Sequence, residues 1–155
     1  MKRTKVLLVD DEVVFTNNVT RLLGNRGYRV TAVNGGEEAI RKLEQENFDV
    51  VVLDLKMPGK DGIATLREIK ELGLLTETLI LTGHGSIDSA LEAIKLGAYD
   101  YLTKPCEIEE LVDKIEGAWE KKDGEEIRDR EEKIQKLVES PGSAFDLFPK
   151  KSQKF

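Results

Sequence analysis

The sequence predicts a doubly wound α/β domain built on a five-stranded parallel sheet, and three observations lead to that prediction. Five apolar runs alternate along the chain with five segments of helical periodicity. The runs are apolar on both faces, so both faces of each strand should be covered. Strands that are separated by helices are joined by right-handed crossovers, which place helices on both sides of a parallel sheet.

The first two strand and helix units are defined by an apolar run followed by a helical segment. The first strand is expected near residues 5–9 and the helix that follows it near 12–26, and Gly27 is expected to end that helix. The second strand is expected near residues 29–33, and the helix that follows it near 36–46.

The remaining three units repeat this arrangement. Gly73 and Gly97 are expected to end the third and fourth helices, and Ser86 is a favoured residue type for the N-cap of the fourth. The strands are expected near residues 49–53, 78–81 and 98–102, and the helices near 61–72, 86–96 and 107–120.

Length and composition indicate one domain with an additional segment. The 155 residues, of which 39% are hydrophobic, are enough for a single core and leave some chain over. We expect a domain over residues 4–121, a charged helical extension over 122–139 and a disordered tail over 140–155.

The charge and the cysteine content exclude some classes of function. A net charge of −6 argues against direct binding of nucleic acid, which requires clustered lysine and arginine. Cys106 is the only cysteine, so an internal disulfide cannot form. The basic start of the chain leads directly into a short apolar strand, so we expect no signal sequence and no membrane span. A cytoplasmic location is expected.

Chemically useful side chains follow four of the five predicted strands. Asp10 and Asp11 follow the first strand, Asp54 the third, Thr82 the fourth and Lys104 the fifth. In doubly wound sheets, ligands bind beyond the carboxyl ends of the strands, where the winding direction reverses. If the strand order is 2-1-3-4-5, the acidic pair lies beside Asp54.

These residue types indicate phosphoryl chemistry. Three crowded carboxylates repel one another unless a cation joins them, and oxygen-only ligands favour Mg²⁺. Asp54 is the candidate acceptor of a phosphoryl group. The Lys104 ammonium and the Thr82 hydroxyl could then meet the new anionic oxygens.

Four motifs stand at the ends of the predicted strands: Val9-Asp10-Asp11-Glu12, Leu53-Asp54-Leu55-Lys56-Met57-Pro58-Gly59, Thr82-Gly83-His84-Gly85 and Lys104-Pro105. Together they resemble the receiver domain of two-component response regulators, over roughly residues 4 to 121. The stretches Leu81-Thr82-Gly83-His84-Gly85-Ser86 and Ala98-Tyr99-Asp100-Tyr101-Leu102-Thr103-Lys104-Pro105 resemble the receivers of enhancer-binding transcriptional activators in particular.

The resemblance implies a flavodoxin-like fold and Mg²⁺-dependent transfer of a phosphoryl group onto Asp54. The donor would be a sensor histidine kinase or a phosphotransfer protein. Asp10 and Asp11 would form the acidic pocket, with Asp11 as a direct metal ligand alongside Asp54. The backbone carbonyl of Lys56 would be a further ligand.

The resemblance also implies a switch. Tyr101 matches the family's switch aromatic, which turns inward as the Thr82 hydroxyl moves toward the phosphoryl group. A downstream protein partner would bind helix 4, strand 5 and helix 5. The Lys104-Pro105 peptide bond is expected to be cis. The side chains of Lys56 and His84 flank the presumed entry to the phosphoryl group and could tune its lifetime.

The charged extension carries a short apolar stripe. Ile127 and Ile134 are seven residues apart and Leu137 lies three further on, which would suit a coiled-coil seam in a homodimer. Arg130 interrupts the stripe, so a solvated helix is the alternative. In the tail, a partner-binding motif is the alternative to disorder.

Two other classes of protein share part of this pattern of residues. A haloacid dehalogenase-like phosphatase also uses an aspartyl-phosphate, but its signature needs a second Asp where Lys56 stands. A flavodoxin-like cofactor carrier is disfavoured because Asp10, Asp11 and Glu12 would repel a flavin phosphate. We expect a signalling switch that catalyses only its own phosphorylation and dephosphorylation, not an enzyme.

Overall fold

The computed structural model describes residues 3–57, 61–83 and 87–139. Strands and helices alternate along these residues as predicted. The strands are β1 (Lys5–Val9), β2 (Arg29–Val33), β3 (Val50–Leu53), β4 (Glu77–Thr82) and β5 (Asp100–Thr103). The helices are α1 (Val13–Gly24), α2 (Gly36–Gln45), α3 (Gly62–Glu71), α4 (Ile87–Lys95) and α5 (Ile108–Glu139).

The strands form one parallel sheet in the order β2-β1-β3-β4-β5, which confirms the predicted fold class and strand order. The winding direction reverses between β1 and β3. In that pair Val9 is in register with Leu53, so the residues that follow them leave the sheet at the same edge. This register places Asp10 and Asp54 next to each other.

The core lies on both faces of the sheet, as strands that are apolar on both faces require. Side chains alternate between the faces, because successive residues of a strand point in opposite directions. One face packs against α2, α3 and α4, and contains Leu7, Val9, Val51, Leu53 and Ile80. The other packs against α1 and the first part of α5, and contains Val6, Leu8, Val50, Val52, Leu79 and Leu81.

The helix ends follow local sequence signals. Gly27, Gly73 and Gly97 have φ angles of 92°, 66° and 101°, a left-handed conformation that glycine adopts without steric cost. Asp61 caps α3 by accepting a hydrogen bond of 2.7 Å from the amide of Ala64. The proposed cap Ser86 lies outside the described residues.

The chain divides into two compact units, residues 1–122 and 123–155. The first unit contains the whole sheet. In the second, the charged extension is helical up to Glu139, which confirms the predicted C-terminal helix. The tail predicted over residues 140–155 falls outside the described residues. Among the residues that are described, no helix has the length and apolar character needed to span a membrane.

Candidate functional site

Asp54 stands at the carboxyl end of β3, in the middle of the sheet. Its amide donates a hydrogen bond of 3.0 Å to the carbonyl of Val9, which continues the β1–β3 pairing past the end of the strand. Its side chain is only 5% exposed. The Lys56 amide donates a hydrogen bond of 3.2 Å to Oδ1 of Asp54. The Asp54 carboxylate is therefore both buried and oriented by the backbone.

Asp10 and Glu12 bring two further carboxylates to Asp54. The amide of Asp10 donates to the carbonyl of Val33 at 3.1 Å, and Oδ1 of Asp10 accepts from the Glu12 amide at 2.9 Å. Oxygens of Asp10, Glu12 and Asp54 all lie within 4.8 Å of one another. Asp11 is half-buried and is not a member of this group.

The donor set of this acidic cluster fits a hard divalent cation. The three groups are carboxylates, two of them are buried, and their like charges repel one another at this spacing. Oxygen ligands and a concentrated negative charge are what Mg²⁺ prefers in proteins. The cluster therefore agrees with the magnesium site that the sequence predicts.

Lys104 supplies a positive charge to the same cluster. Its Nζ lies 2.6 Å from Oδ2 of Asp10, 3.4 Å from Oε1 of Glu12 and 3.7 Å from Oδ2 of Asp54. The Lys104 amide donates a hydrogen bond of 2.9 Å to the carbonyl of Thr82, which fixes the start of the loop to β4. The Lys104-Pro105 peptide bond is cis, as expected from the resemblance.

The protonation of the cluster follows from burial and from the ammonium group. Burial raises the pKa of the Asp10 carboxyl and outweighs the opposite effect of the hydrogen bond from Lys104. Burial alone would lower the pKa of Lys104. The hydrogen bond to Asp10 and the charges of Asp54 and Glu12 reverse this, so the pKa of Lys104 is raised. Lys104 therefore remains a cation at neutral pH.

Thr82 and Tyr101 lie on neighbouring strands but differ in exposure. Thr82 ends β4 and is 1% exposed, whereas Tyr101 on β5 is 39% exposed. Tyr101 is in register with Ile80, two residues before Thr82. Since residues two apart in a strand share a face, the side chains of Thr82 and Tyr101 lie on the same face of the sheet.

Gly62 is a residue near the site that none of the sequence motifs indicated. A Cβ at this position would overlap the Cα of Leu55 and lie 2.5 Å from the carbonyl oxygen of Asp54. The Gly62 amide also donates a hydrogen bond of 3.1 Å to the carbonyl of Leu55. The first turn of α3 is thus packed directly on the backbone that carries Asp54. The available signal was a glycine immediately after the N-cap Asp61.

Glu12 and Phe15 were also missed as site residues. Glu12 is the N-cap of α1 but makes no capping hydrogen bond with its side chain, which faces Lys104 instead. The Phe15 ring lies below the same ammonium, with Nζ 4.1 Å from the ring centroid. The signal for both was their position at the start of the helix that follows Asp10.

The structure describes only some of the remaining residues of the predicted site. Lys56 follows Asp54 by two positions and is exposed, and its amide donates the hydrogen bond to Asp54 described above. His84 lies outside the described residues, as do Pro58 and Gly59 of the second motif. The tuning role predicted for Lys56 and His84 therefore stays a prediction.

Comparison with known proteins identifies the family. A family model described as the response regulator receiver domain matches residues 6–116. The chain belongs to this family of phosphorylation-based switches in two-component signalling. The comparisons give no support to the phosphatase alternative.

Several curated relatives are transcriptional regulatory proteins. ZraR of Escherichia coli K12 is 40% identical over 113 residues, covering 73% of this chain and 26% of ZraR. TrcR of Mycobacterium tuberculosis H37Rv is 42% identical over 113 residues, covering 73% of this chain and 44% of TrcR. NtrC of Escherichia coli K12 is 36% identical over 118 residues, covering 76% of this chain and 25% of NtrC. The chain thus spans less than half the length of these relatives.

Solved structures show the same fold. A response regulator receiver domain protein from Clostridium thermocellum is 37% identical and superposes with a TM-score of 0.73, covering 77% of this chain and 97% of that one. NtrX from Brucella abortus is 31% identical with a TM-score of 0.76, covering 83% of this chain and 29% of NtrX.

Proposed function

We propose that the receiver, over residues 4–121, takes a phosphoryl group onto Asp54 from a sensor histidine kinase or a phosphotransfer protein. One observation carries this proposal. The buried Asp54 carboxylate has an oxygen 3.7 Å from the Lys104 ammonium and belongs to a cluster of three carboxylates at the carboxyl edge of the sheet. Asp10 is also buried in this cluster, but its Oδ2 already accepts a hydrogen bond of 2.6 Å from Lys104, and it is Asp54 that stands at the acceptor position of the receiver motif.

The transfer is a nucleophilic displacement at phosphorus. An oxygen of Asp54 attacks, the bond from phosphorus to the donor breaks, and the leaving group keeps the bonding electrons. Lys104 lies where it can bind a non-bridging oxygen of the phosphoryl group. Dephosphorylation is a separate reaction, in which water attacks the phosphorus of the acyl phosphate, the bond from phosphorus to the Asp54 oxygen breaks, and inorganic phosphate and the free carboxylate are released. We propose that the chain catalyses these two reactions on itself alone.

The metal ligands we propose are Asp10, Asp11, Asp54 and the backbone carbonyl of Lys56, and the position of Glu12 adds a fourth carboxylate to consider. Bound Mg²⁺ would supply positive charge to the phosphoryl oxygens as negative charge develops on them. The oxygen-only donor set within 4.8 Å supports this assignment. Lys104 contacts the same carboxylates and would share the neutralisation of their charge with the metal.

We further propose that phosphorylation changes the surface formed by α4, β5 and α5, and that a protein partner binds there. The Thr82 hydroxyl would move toward the phosphoryl group and Tyr101 would turn inward. Three apolar residues of α4, Ile87, Leu91 and Ile94, are 74%, 53% and 41% exposed and are spaced to form one stripe. The net charge of −6 supports a protein partner rather than nucleic acid for this part of the chain.

The helical extension leaves a second apolar stripe exposed. Ile127, Ile134 and Val138 are 44%, 54% and 71% exposed, whereas Leu137 is half-buried. We propose that two copies associate along this stripe, and sedimentation with and without a phosphoryl mimic tests the proposal. A monomer in both states would contradict it.

The proposed phosphorylation is tested by incubating the protein with acetyl phosphate and Mg²⁺ and measuring its intact mass. We expect one added phosphoryl group, which is lost in Asp54→Asn and when Mg²⁺ is chelated. Asp113→Asn, at an exposed aspartate of α5, is the matched control and should still gain the group. A folded wild-type protein that gains no mass would show that the output does not depend on phosphorylation.

A further inference from the structure

The side chain of Lys104 has an aromatic neighbour that the proposed mechanism does not use. Its Nζ lies 4.1 Å from the centroid of the Phe15 ring, well inside the roughly 6 Å over which a ring attracts a cation. The lysine side chain is 11% exposed, so water competes little for this contact. The ammonium thus has three carboxylates and one ring around it.

The first turn of α1 explains why these groups meet. Glu12 immediately precedes α1, and Phe15 comes three residues after Glu12. This spacing puts two side chains on the same side of a helix. The Glu12 carboxylate lies 3.4 Å from Nζ of Lys104, and the Phe15 ring reaches the same atom. The start of α1 therefore presents an anion and an aromatic face to one ammonium group.

We propose that Phe15 is a positioning residue for phosphoryl transfer, because its ring holds the Lys104 ammonium where the phosphoryl oxygens on Asp54 will be. This inference rests on the proposed function. Lysine has a long side chain that loses much conformational freedom when it is fixed. If the ring holds the ammonium in place before the reaction, part of this entropy has already been lost in the ground state. The activation free energy of phosphoryl transfer is then lower by that part.

Core packing alone does not account for this arrangement. Phe15 is half-buried and packs against the cluster that contains α1 and α5, as an aliphatic residue at this position would. An aliphatic side chain could fill the same space, but it has no negative face to offer a cation. The two roles differ in one measurable respect: only the positioning role depends on the electron density of the ring.

The test replaces Phe15 with 4-fluoro-, 3,5-difluoro- and 3,4,5-trifluorophenylalanine, which change the ring's size little but weaken its attraction for a cation. The rate of adduct formation with acetyl phosphate and Mg²⁺ is followed by intact mass. We expect the rate to fall stepwise with each fluorine, by about two- to fivefold across the series. Phe15→Leu should be slowed at least as much, and Phe15→Tyr should restore most of the wild-type rate.

Phe48 provides the matched control. Its ring lies 5.1 Å from Nζ of Lys5, at the opposite edge of the sheet from Asp54, so it makes the same kind of contact away from the site. The same fluorinated residues at this position should leave the rate unchanged. In a Lys104→Met background, where no ammonium is present, the rate should no longer depend on the number of fluorine atoms at Phe15.

Three results would overturn the inference. The first is a rate of adduct formation that does not change with fluorination of Phe15. The second is a rate that still falls with each fluorine in Lys104→Met. Either would overturn the inference while leaving the proposed function intact. A wild-type protein that forms no adduct would overturn the proposed function and this inference together. The two failures are therefore distinguishable.

Discussion

The Nζ atom of Lys104 donates a hydrogen bond of 2.6 Å to Oδ2 of Asp10, although 94 residues separate the two in the chain. The two strands they follow, β5 and β1, are separated by β3 and β4 in the sheet. The same Nζ atom lies 3.7 Å from Oδ2 of Asp54, so the long lysine side chain reaches across the carboxyl edge of the sheet. The cluster is tied together by this one cation, which has consequences for stability.

Replacing Lys104 with methionine should destabilise the fold strongly when Mg²⁺ is absent. The substitution keeps a side chain of similar length but leaves Asp10 and Asp54 buried without their cation. Removal of one partner from a buried ion pair typically costs about 3–5 kcal/mol. Urea unfolding in the presence of a chelator measures the loss, and added Mg²⁺ should restore part of it.

Lys114→Met is the matched control for that experiment. Lys114 pairs with Asp100 at the surface, and its side chain is 40% exposed. Exposed pairs contribute at most about 1 kcal/mol, so this variant should lose little stability relative to the wild type, both in the chelator and with Mg²⁺. Equal losses for the two lysines would contradict the special role of the buried pair.

Substitution of Gly62 should displace the backbone at Asp54 and Leu55. In Gly62→Ala the new methyl group would meet the backbone at Leu55 and the carbonyl of Asp54, and neither can give way as a flexible side chain would. We expect a loss of about 1–3 kcal/mol in unfolding free energy and slower phosphorylation by acetyl phosphate.

Gly24→Ala is the control, because a Cβ built at this α1 position would meet no described atom within 4 Å outside its own stretch of helix. It should be neutral or stabilise the protein by about 0.4–1 kcal/mol. If Gly62→Ala were as stable and as quickly phosphorylated as Gly24→Ala, the close approach would have no role in placing Asp54.

The parts of the site that were predictable are those that depend on strand ends. Asp10 and Asp54 could be placed together because apolar runs end just before them, and the carboxyl ends of neighbouring parallel strands share an edge. Glu12, Phe15 and Gly62 could not be placed in this way. Their contacts depend on how α1 and α3 approach the sheet, and that approach is set by tertiary packing rather than by any local pattern.

The ion pair between Asp100 and Lys114 should give stability that depends on pH. Burial by itself raises the pKa of Asp100, but hydrogen bonds from Lys114 and from the amide of Tyr101 lower it below its ordinary value of 3.8, and the lowering dominates. A depressed pKa in the folded state contributes stability that is present above the unfolded value and is lost as pH falls through the folded value.

The stability difference between the wild type and Lys114→Met should therefore shrink as the pH falls below 3.8. Because the pair is partly exposed, the difference at pH 7 should not exceed about 1 kcal/mol. Urea unfolding midpoints measured from pH 7 down to about pH 3 check this. A difference that stays constant over that range would show that the pair does not set the pKa of Asp100.

The proposed coupling between Thr82 and Tyr101 should be visible in the exposure of the tyrosine. Tyr101 is 39% exposed here, and we expect beryllofluoride with Mg²⁺, a mimic of the phosphoryl group, to bury its ring. Fluorine NMR of 3-fluorotyrosine, with the Tyr101 signal assigned from Tyr101→Phe, measures access of a soluble paramagnetic agent to the ring. The signal should become protected when the mimic binds.

Thr82→Val keeps the shape of the side chain but removes the hydroxyl that would contact the mimic, so Tyr101 should stay accessible even when the mimic is bound. Thr103→Val is the matched control, since Thr103 is in register with Thr82 on the adjacent strand but is exposed. It should behave as the wild type does. Protection of Tyr101 in Thr82→Val would mean that burial of the ring does not require the hydroxyl, and the switch would have to begin elsewhere in the site.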